Sequence, residues 1–391
     1  MVTVVGYAYP WDVCGAPEFL SDLHRLGVTR VALAAYYHGV RAATPRHPLH
    51  RFVTATRSAL YTRTDPGVWH MSPLVPPPPG PWSHAGAFEE AAGLLTAAGF
   101  TVSAWLAPTH ADGLPESHPL RVQTAFGDRL DYALCPTAPE VQDYAARLAH
   151  QSMLSGASGL VLECVGSLGF DHASLHDKVG GADWSTSIRA LLSICFCAAC
   201  CEQYHTEGIA PTELSQLLRI AVDTPTGAAE EVVPADVMSL VWKVRNRSAV
   251  MLGTAAVAAA SRAPDFTAAL HASTELSTTG AGTSAIIPGV DTYIAPCWND
   301  HPELPHTAAA VTQREAIAQV HRLRQRIPKE ARVASYVTVV GQHAPTTGGL
   351  VRDWGAILEA GADELHLYHA GLASTERLAN TAHALAQLRT R

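Results

Sequence analysis

The segment Ala85-Gly-Ala-Phe-Glu-Glu-Ala-Ala-Gly-Leu-Leu-Thr-Ala-Ala-Gly-Phe-Thr-Val-Ser-Ala-Trp-Leu-Ala107 shows in miniature how the whole chain is built. Its first part reads as a helix, Ala85 to Ala98, which Gly99 stops because glycine adopts the left-handed conformation that ends helices. Thr101 to Ala107 is then a nearly continuous apolar run, the pattern of a parallel strand covered on both faces. Toward the N-terminus the same unit recurs. Thr3 to Tyr9 is a strand, Glu18 to Leu26 a helix with Phe19, Leu20, Leu23 and Leu26 on one face, Gly27 its stop, and Arg30 to Tyr37 the next strand. Toward the C-terminus a helix around Glu140 to Leu154, with Thr137 and Glu140 at capping-box spacing, leads into the strand Gly159 to Val165. After an insertion come Phe266 to His271, Val290 to Ala295, Val333 to Val340 and Glu364 to Tyr368, with Gly361 ahead of the last. Eight alternating units predict an α/β fold, a (β/α)8 TIM barrel. A doubly wound sheet would want a glycine fingerprint after its first strand, and Gly6-Tyr-Ala-Tyr-Pro-Trp11 has none.

The 391 residues exceed the roughly 250 of a typical barrel. The reading is one barrel domain over 1–391, with the excess in long loops after strands two and four, about 39–84 and 166–262. Hydrophobic residues make up 48% and charged ones 16%, enough apolar material for a buried core. The formal charge is −8 and the lysines are Lys178, Lys243 and Lys329, so no basic stripe offers itself to nucleic acid or to an anionic membrane. Polar, Gly and Pro residues interrupt the N-terminal run before an export h-region could form, and no stretch reaches 18 uninterrupted apolar residues. A cytoplasmic protein with reduced thiols is the expectation.

In a barrel, reactive groups stand just past the C-terminal ends of the strands. Those ends carry Tyr7, Tyr9, Trp11 and Asp12; Tyr36, Tyr37, His38 and Arg41; Trp105, His110 and Asp112; Glu163; His271 and Ser273; Trp298, Asn299 and Asp300; and Tyr368 and His369. Rings that pack on sugar C–H faces, mixed with polar groups for hydroxyls, predict a carbohydrate pocket, with Tyr7, Trp11, Tyr37, His38, Trp105, His110, Asp112, Trp298, Tyr368 and His369 as its binding residues. Glu163 follows Leu160-Val-Leu162 with no charged neighbour, so it is a buried carboxylate of raised pKa suited to acid catalysis, or an ion pair with Arg129 or Arg41.

Gly127-Asp128, Ala133-Leu-Cys-Pro136, Pro139-Glu-Val-Gln-Asp-Tyr144, Ser158-Gly-Leu-Val-Leu-Glu163 and Cys195-Phe-Cys-Ala-Ala-Cys200 occur in that order over roughly residues 120–205. This run resembles a group of glycoside-hydrolase-like (β/α)8 barrels marked by LCP, PEV and Tyr at a helix start, DG-x-x-LD on strand four and a C-x-C-x-x-C segment. The chain departs from that pattern at strand four, where Ser158 and Glu163 replace an aspartate pair. The resemblance implies that Glu163 holds the carboxylate position, as nucleophile or as acid, and it also covers Asp128. A strand-seven glutamate has no counterpart in Tyr336-Val-Thr-Val-Val-Gly341.

Glycoside hydrolysis usually takes two carboxylates about 5–10 Å apart. Asp12, Asp112, Asp128 and Asp300 are the available partners for Glu163. Asp12 is favoured because Trp11 beside it offers a sugar platform, and Asp128 through the resemblance, although Gly-Asp is also an ordinary turn. His172 and His176 stand one helical turn apart and read first as sugar-binding groups; with Glu163 or Asp171 they could hold a catalytic metal. Cys195, Cys197, Cys200 and Cys201, with His205 beyond, lack the two separated knuckles of a structural zinc site and read as packing under the loop, with zinc the alternative. Cys14, Cys135, Cys164 and Cys297 border strands and show no base nearby. Gly280 to Ala285 matches G-x-G-x-x-A only formally, since Pro288 and Gly289 follow where a helix should continue.

The sequence therefore predicts a glycoside hydrolase acting on a small glycoside through Glu163 and an aspartate, with no cofactor or metal. Two alternatives stand beside it: a metal-dependent hydrolase or lyase using His172, His176 and a carboxylate, and a sugar-binding barrel without activity. Oligomeric state is not legible in the sequence.

Overall fold

The structure, a computed structural model, describes residues 2–114, 118–170, 172, 180–224, 232–261, 265–275, 281–297, 313–341 and 345–390. Eight parallel strands close on themselves: β1 (Thr3–Ala8), β2 (Arg30–Tyr37), β3 (Thr101–Leu106), β4 (Gly159–Leu162), β5 (Thr267–His271), β6 (Thr292–Pro296), β7 (Arg332–Thr338) and β8 (Glu364–Tyr368). Closure is made by β1, which pairs with β2 from Val5 opposite Arg30 and with β8 from Thr3 opposite Glu364. The fold is the expected (β/α)8 barrel, and the strand starts fall within two residues of the sequence reading.

Helices α1 (Pro17–Leu26), α2 (Ala87–Ala97), α3 (Pro139–Leu154), α4 (Ala235–Ala260), α5 (Gln313–Arg326), α6 (Thr347–Glu359) and α7 (Thr375–Arg389) surround the strands. Gly27 caps α1 at φ 63°, with its N–H on the carbonyls of His24 and Leu23. Two local expectations need correction. Residue 166–262 is not all insertion, because its last part is α4, the barrel helix that follows β4. It packs along α3, and its buried face carries the small residues Ser248, Ala249, Gly253 and Ala256. The capping box at Thr137 does not form. Ala138 is the N-cap, Pro139 opens the helix, and the Thr137 hydroxyl meets Ser248 instead at 3.0 Å.

Three loops build the mouth at the C-terminal face. After β2 the chain forms a hairpin, Val40–Ala43 with Phe52–Ala55, and returns through Ala59–Leu60 beside the end of β2. After β3 it forms a second hairpin, Arg121–Gln123 with Arg129–Leu134, and after β4 it folds the helices Thr186–Leu192, Ala198–Thr206 and Pro211–Asp223 ahead of α4.

Candidate active site at the barrel mouth

Barrel interiors are filled in layers, each layer supplied by alternate strands, and branched aliphatic side chains dominate most of them. Here the odd strands contribute Tyr7, Trp105, His271 and Tyr336, one each. Tyr7 lies edge-on to Trp105 at 4.9 Å and against Tyr336 at 4.8 Å, and His271 meets Tyr336 at 4.6 Å. The Tyr7 hydroxyl lies 3.1 Å from both His271 Nε2 and His366 Nδ1. His366 Nε2 is 3.1 Å from Glu364, whose other oxygen pairs with Arg332 at the bottom of β7, 3.0 Å away. A polar chain therefore runs up the barrel axis. Burial lowers the pKa of both imidazoles, that of His271 to about 3, so the chain carries neutral rings above one ionised carboxylate, Glu364.

Above this floor the even strands contribute Tyr37, Glu163 and Tyr368. Tyr37 packs on Trp105 at 4.1 Å, and Tyr368 lies between Tyr336 and His369 at 5.6 and 5.2 Å. Glu163 is 8% exposed, and its Oε2 accepts the Trp105 indole N–H at 2.6 Å. Burial raises its pKa to about 7, against the weaker pull of that hydrogen bond. No arginine figures among the groups that shift it, so the ion pair with Arg41 or Arg129 is not what holds it. Cys164, the next residue, has φ 54°, a left-handed conformation that costs a non-glycine residue energy and turns the chain sharply behind the carboxylate.

The second wall is built on β1. Tyr9 stacks between Trp11 and His369, at 4.4 and 4.5 Å with both interplanar angles 22°. Trp11 is thus one plate of a buried stack instead of an open platform. Asp12 is buried beneath it, accepting the Tyr9 amide N–H at 2.8 Å, and burial raises its pKa to about 7. His369 Nδ1 lies 3.7 Å from Asp12, too far for a hydrogen bond, and Gly371 backs the same carboxylate so closely that a Cβ there would overlap it. Both ring nitrogens of His369 and the indole N–H of Trp11 are buried with no hydrogen-bond partner among the described residues, and burial keeps the imidazole neutral by lowering its pKa to about 3. Donors and acceptors left open in an aromatic wall are what a polyhydroxylated ligand would satisfy. Tyr368 joins the two walls, since Glu163 and Asp12 both help burial raise its phenol to about 12.

The remaining residues form a histidine flank or lie elsewhere. His38 lies tilted against His110 and His172 edge-on to it, with centroids 4.4 Å and 4.7 Å apart, and burial lowers the pKa of His38 and His172, the former to about 3. Asp112 is committed to the loop backbone, accepting the amide N–H groups of Ser58 at 2.7 Å and Gly39 at 3.0 Å. Burial would raise its pKa, but the Ser58 hydroxyl and the nearby His110 imidazole, 3.7 Å away, outweigh it and keep the carboxylate ionised. It therefore ties loops together and does not stand free for a ligand. Asp128 is corrected. It lies exposed in the hairpin turn after Gly127, its carboxylate 3.4 Å from the Thr124 hydroxyl, on a turn that leans on the helix Pro211–Asp223. The geometry does not bring it to Glu163. His176 and Trp298, with Asp171, Asn299 and Asp300, lie outside the described residues. Among the described residues, the His, Cys, Asp and Glu side chains close enough to share a metal ion are four cysteines, Cys135, Cys195, Cys197 and Cys200, and none of the three histidines of the flank.

Tyr9, Tyr336, His271 and His366 were not among the binding residues expected from the sequence. For His366 the signal is the alternation in Glu364-Leu-His-Leu-Tyr368, whose polar members share one parity and hence one face of the strand. In a strand flanked by helices outside, that face must be the interior.

No protein-family model matches the chain, and no curated protein matches it in sequence. Solved structures do match in fold. An α-L-fucosidase isoenzyme 2 from Paenibacillus thiaminolyticus has a TM-score of 0.55 and 10% identity, covering 100% of this chain and 49% of its own. The catalytic domain of a β-amylase from Paenibacillus polymyxa gives 0.53 and 11%, covering 98% of each chain. A β-galactosidase from the psychrophilic Marinomonas ef1 gives 0.55 and 9%, covering 99% of this chain and 59% of its own. The chain thus spans about half the length of the fucosidase and well under two thirds of the β-galactosidase. At these identities the likeness is one of fold.

Proposed function

We propose that this protein is a glycoside hydrolase acting on a small glycoside, with Glu163 and Asp12 as its carboxylate pair. The observation that carries the reading is that two carboxylates, Glu163 just past β4 and Asp12 just past β1, are buried at the same barrel mouth, and burial raises both to about 7. Such carboxyls hold a proton near neutrality, where an unperturbed acid has lost it. In this reading protonated Glu163 donates to the departing glycosidic oxygen while the Trp105 N–H orients it, and Asp12 supplies the second carboxylate. Tyr37 and Tyr368 offer faces for the sugar, and the Trp11 indole N–H and the His369 ring nitrogens offer polar partners for its hydroxyls. The fold neighbours, a fucosidase, an amylase and a galactosidase, agree with the class without naming a substrate. The same reading takes 1–391 as one barrel domain with loop insertions, working in the cytoplasm on an imported or metabolic glycoside.

One observation favours the second reading, a sugar-binding barrel without turnover. Asp12 is tied to the Tyr9 amide and sealed by Gly371, as a purely structural aspartate would be. Hydrolysis of a panel of aryl α- and β-glycosides by wild type, Glu163→Gln and Asp12→Asn separates the two. Turnover that falls by orders of magnitude in both variants supports the pair. Turnover indifferent to Asp12→Asn removes Asp12 from the chemistry, and saturable sugar binding without turnover by wild type selects the binding barrel.

A further inference from the structure

Behind the mouth, between the loops after β3 and β4, the sulfur atoms of Cys135, Cys195, Cys197 and Cys200 lie within 4.8 Å of one another, and all four residues are buried. Cys135 directly follows the hairpin strand Arg129–Leu134. Cys195 precedes the helix Ala198–Thr206, Cys197 is its N-cap, and Cys200 stands in its first turn. The sequence suggested a local packing cluster because its C-x-C-x-x-C run has no second knuckle. The fold supplies the missing ligand from sixty residues upstream. Four sulfurs bound to zinc at about 2.3 Å would stand about 3.8 Å apart at the corners of a tetrahedron. Cys135 and Cys200 are 3.4 Å apart.

The surroundings suit charged sulfur. The backbone N–H groups of Gln123 and Cys197 both point at Cys195 Sγ, 3.4 Å away, and the Thr137 hydroxyl lies 3.2 Å from Cys200 Sγ. Arg245, half-buried beside Cys135, Cys195 and Cys200, has its guanidinium held by the carbonyls of Ser193 at 3.1 Å and Ser167 at 2.7 Å. Four thiolates around a divalent cation leave two net negative charges. Amide donors and a half-buried guanidinium nearby are the partners that such a charge requires. Neutral thiols, which act as small hydrophobes, would require none of them.

We propose that Cys135, Cys195, Cys197 and Cys200 form a structural zinc site, four thiolates around one Zn2+ with no open position. As each S–Zn bond forms, its thiol proton leaves to solvent. A closed all-sulfur site does no hydrolysis, so the inference stands apart from the proposed activity. Its role is to fasten two loops of the mouth. Cys135 continues the hairpin that accepts the Ala111 amide on Tyr132 O and donates the Leu134 amide to Thr109 O, both 2.8 Å, and these hold the segment that carries His110. The zinc would join that hairpin to the start of the helix Ala198–Thr206.

The test uses the full chain, purified without chelator, desalted and measured for metal by mass spectrometry alongside thiol titration. One zinc per chain is expected, with Cys200→Ser losing it. Cys201→Ser should keep it, because that partly exposed thiol turns to the Phe196 carbonyl and lies outside the cluster. If Cys200→Ser does not fold, cobalt reconstitution of wild type decides, through the tetrahedral visible bands and sulfur-to-cobalt charge transfer of four thiolate ligands. Folded wild type without metal, iron in zinc's place, a cobalt spectrum of octahedral or sulfur-poor character, or equal zinc loss in Cys201→Ser would each overturn the site.

Discussion

Glu163→Gln should make the protein more stable at alkaline pH while disabling it. In the unfolded chain the carboxyl titrates near 4.5, and in the barrel near 7. At 1.36 kcal/mol for each tenfold change, that difference costs the folded, ionised protein roughly 3 kcal/mol, a ceiling because the carboxylate retains some access to water. Below pH 4.5 both states hold the proton and nothing is lost. Between pH 4.5 and 7 the folded state holds a proton that the unfolded chain releases, so stability falls as pH rises, and above pH 7 the whole penalty is present. Glutamine keeps an oxygen for the Trp105 N–H but cannot ionise. Thermal unfolding of wild type and variant at constant ionic strength should therefore nearly coincide at pH 4 and diverge, with the variant higher, by pH 8.5. Asp12 carries a similar penalty in both proteins, so each still weakens with pH and the difference isolates Glu163. A gap independent of pH, or a variant less stable at pH 8.5, would refute a desolvated, unpaired Glu163.

Other expectations follow from named contacts. Tyr7→Phe removes the hydroxyl between His271 and His366 and strands two buried imidazole nitrogens, so the unfolding free energy should drop by about 1–3 kcal/mol, with Tm as the readout. Gly371→Ala drives a methyl group into the Asp12 carboxylate, so glycosidase turnover should fall. Gly348→Ala, where a Cβ meets nothing within 4 Å, should leave turnover unchanged. Asp128→Asn changes an exposed turn residue and should alter turnover by no more than about twofold. Under the proposed chemistry, kcat/KM should decline on an alkaline limb near pH 7 as Glu163 loses its proton; a profile flat from pH 5 to 9 would count against Glu163 as the acid.

Local sequence was enough for the barrel, because a parallel strand buried on both faces and a helix ended by glycine leave signatures within ten residues, and eight of them in alternation admit few closures. The helix Ala235–Ala260 escaped that reading because alanine and small residues blunt its apolar contrast. Strand ends pointed to Glu163 and to the aromatic mouth for the same local reason. Other features depended on neighbours distant in sequence. Asp12 and Asp112 both follow strands and look alike on paper. One lies in a desolvated aromatic wall and titrates near neutrality, while the other accepts amides of two loops and stays ionised. Desolvation is set by what packs against a group, and that packing comes from β8, the Gly39 loop and Ser58. The sulfur cluster is the same case on a larger scale. The spacing of Cys195, Cys197 and Cys200 is a property of one short segment, but Cys135 joins them only because the hairpin after β3 folds back onto the loop after β4.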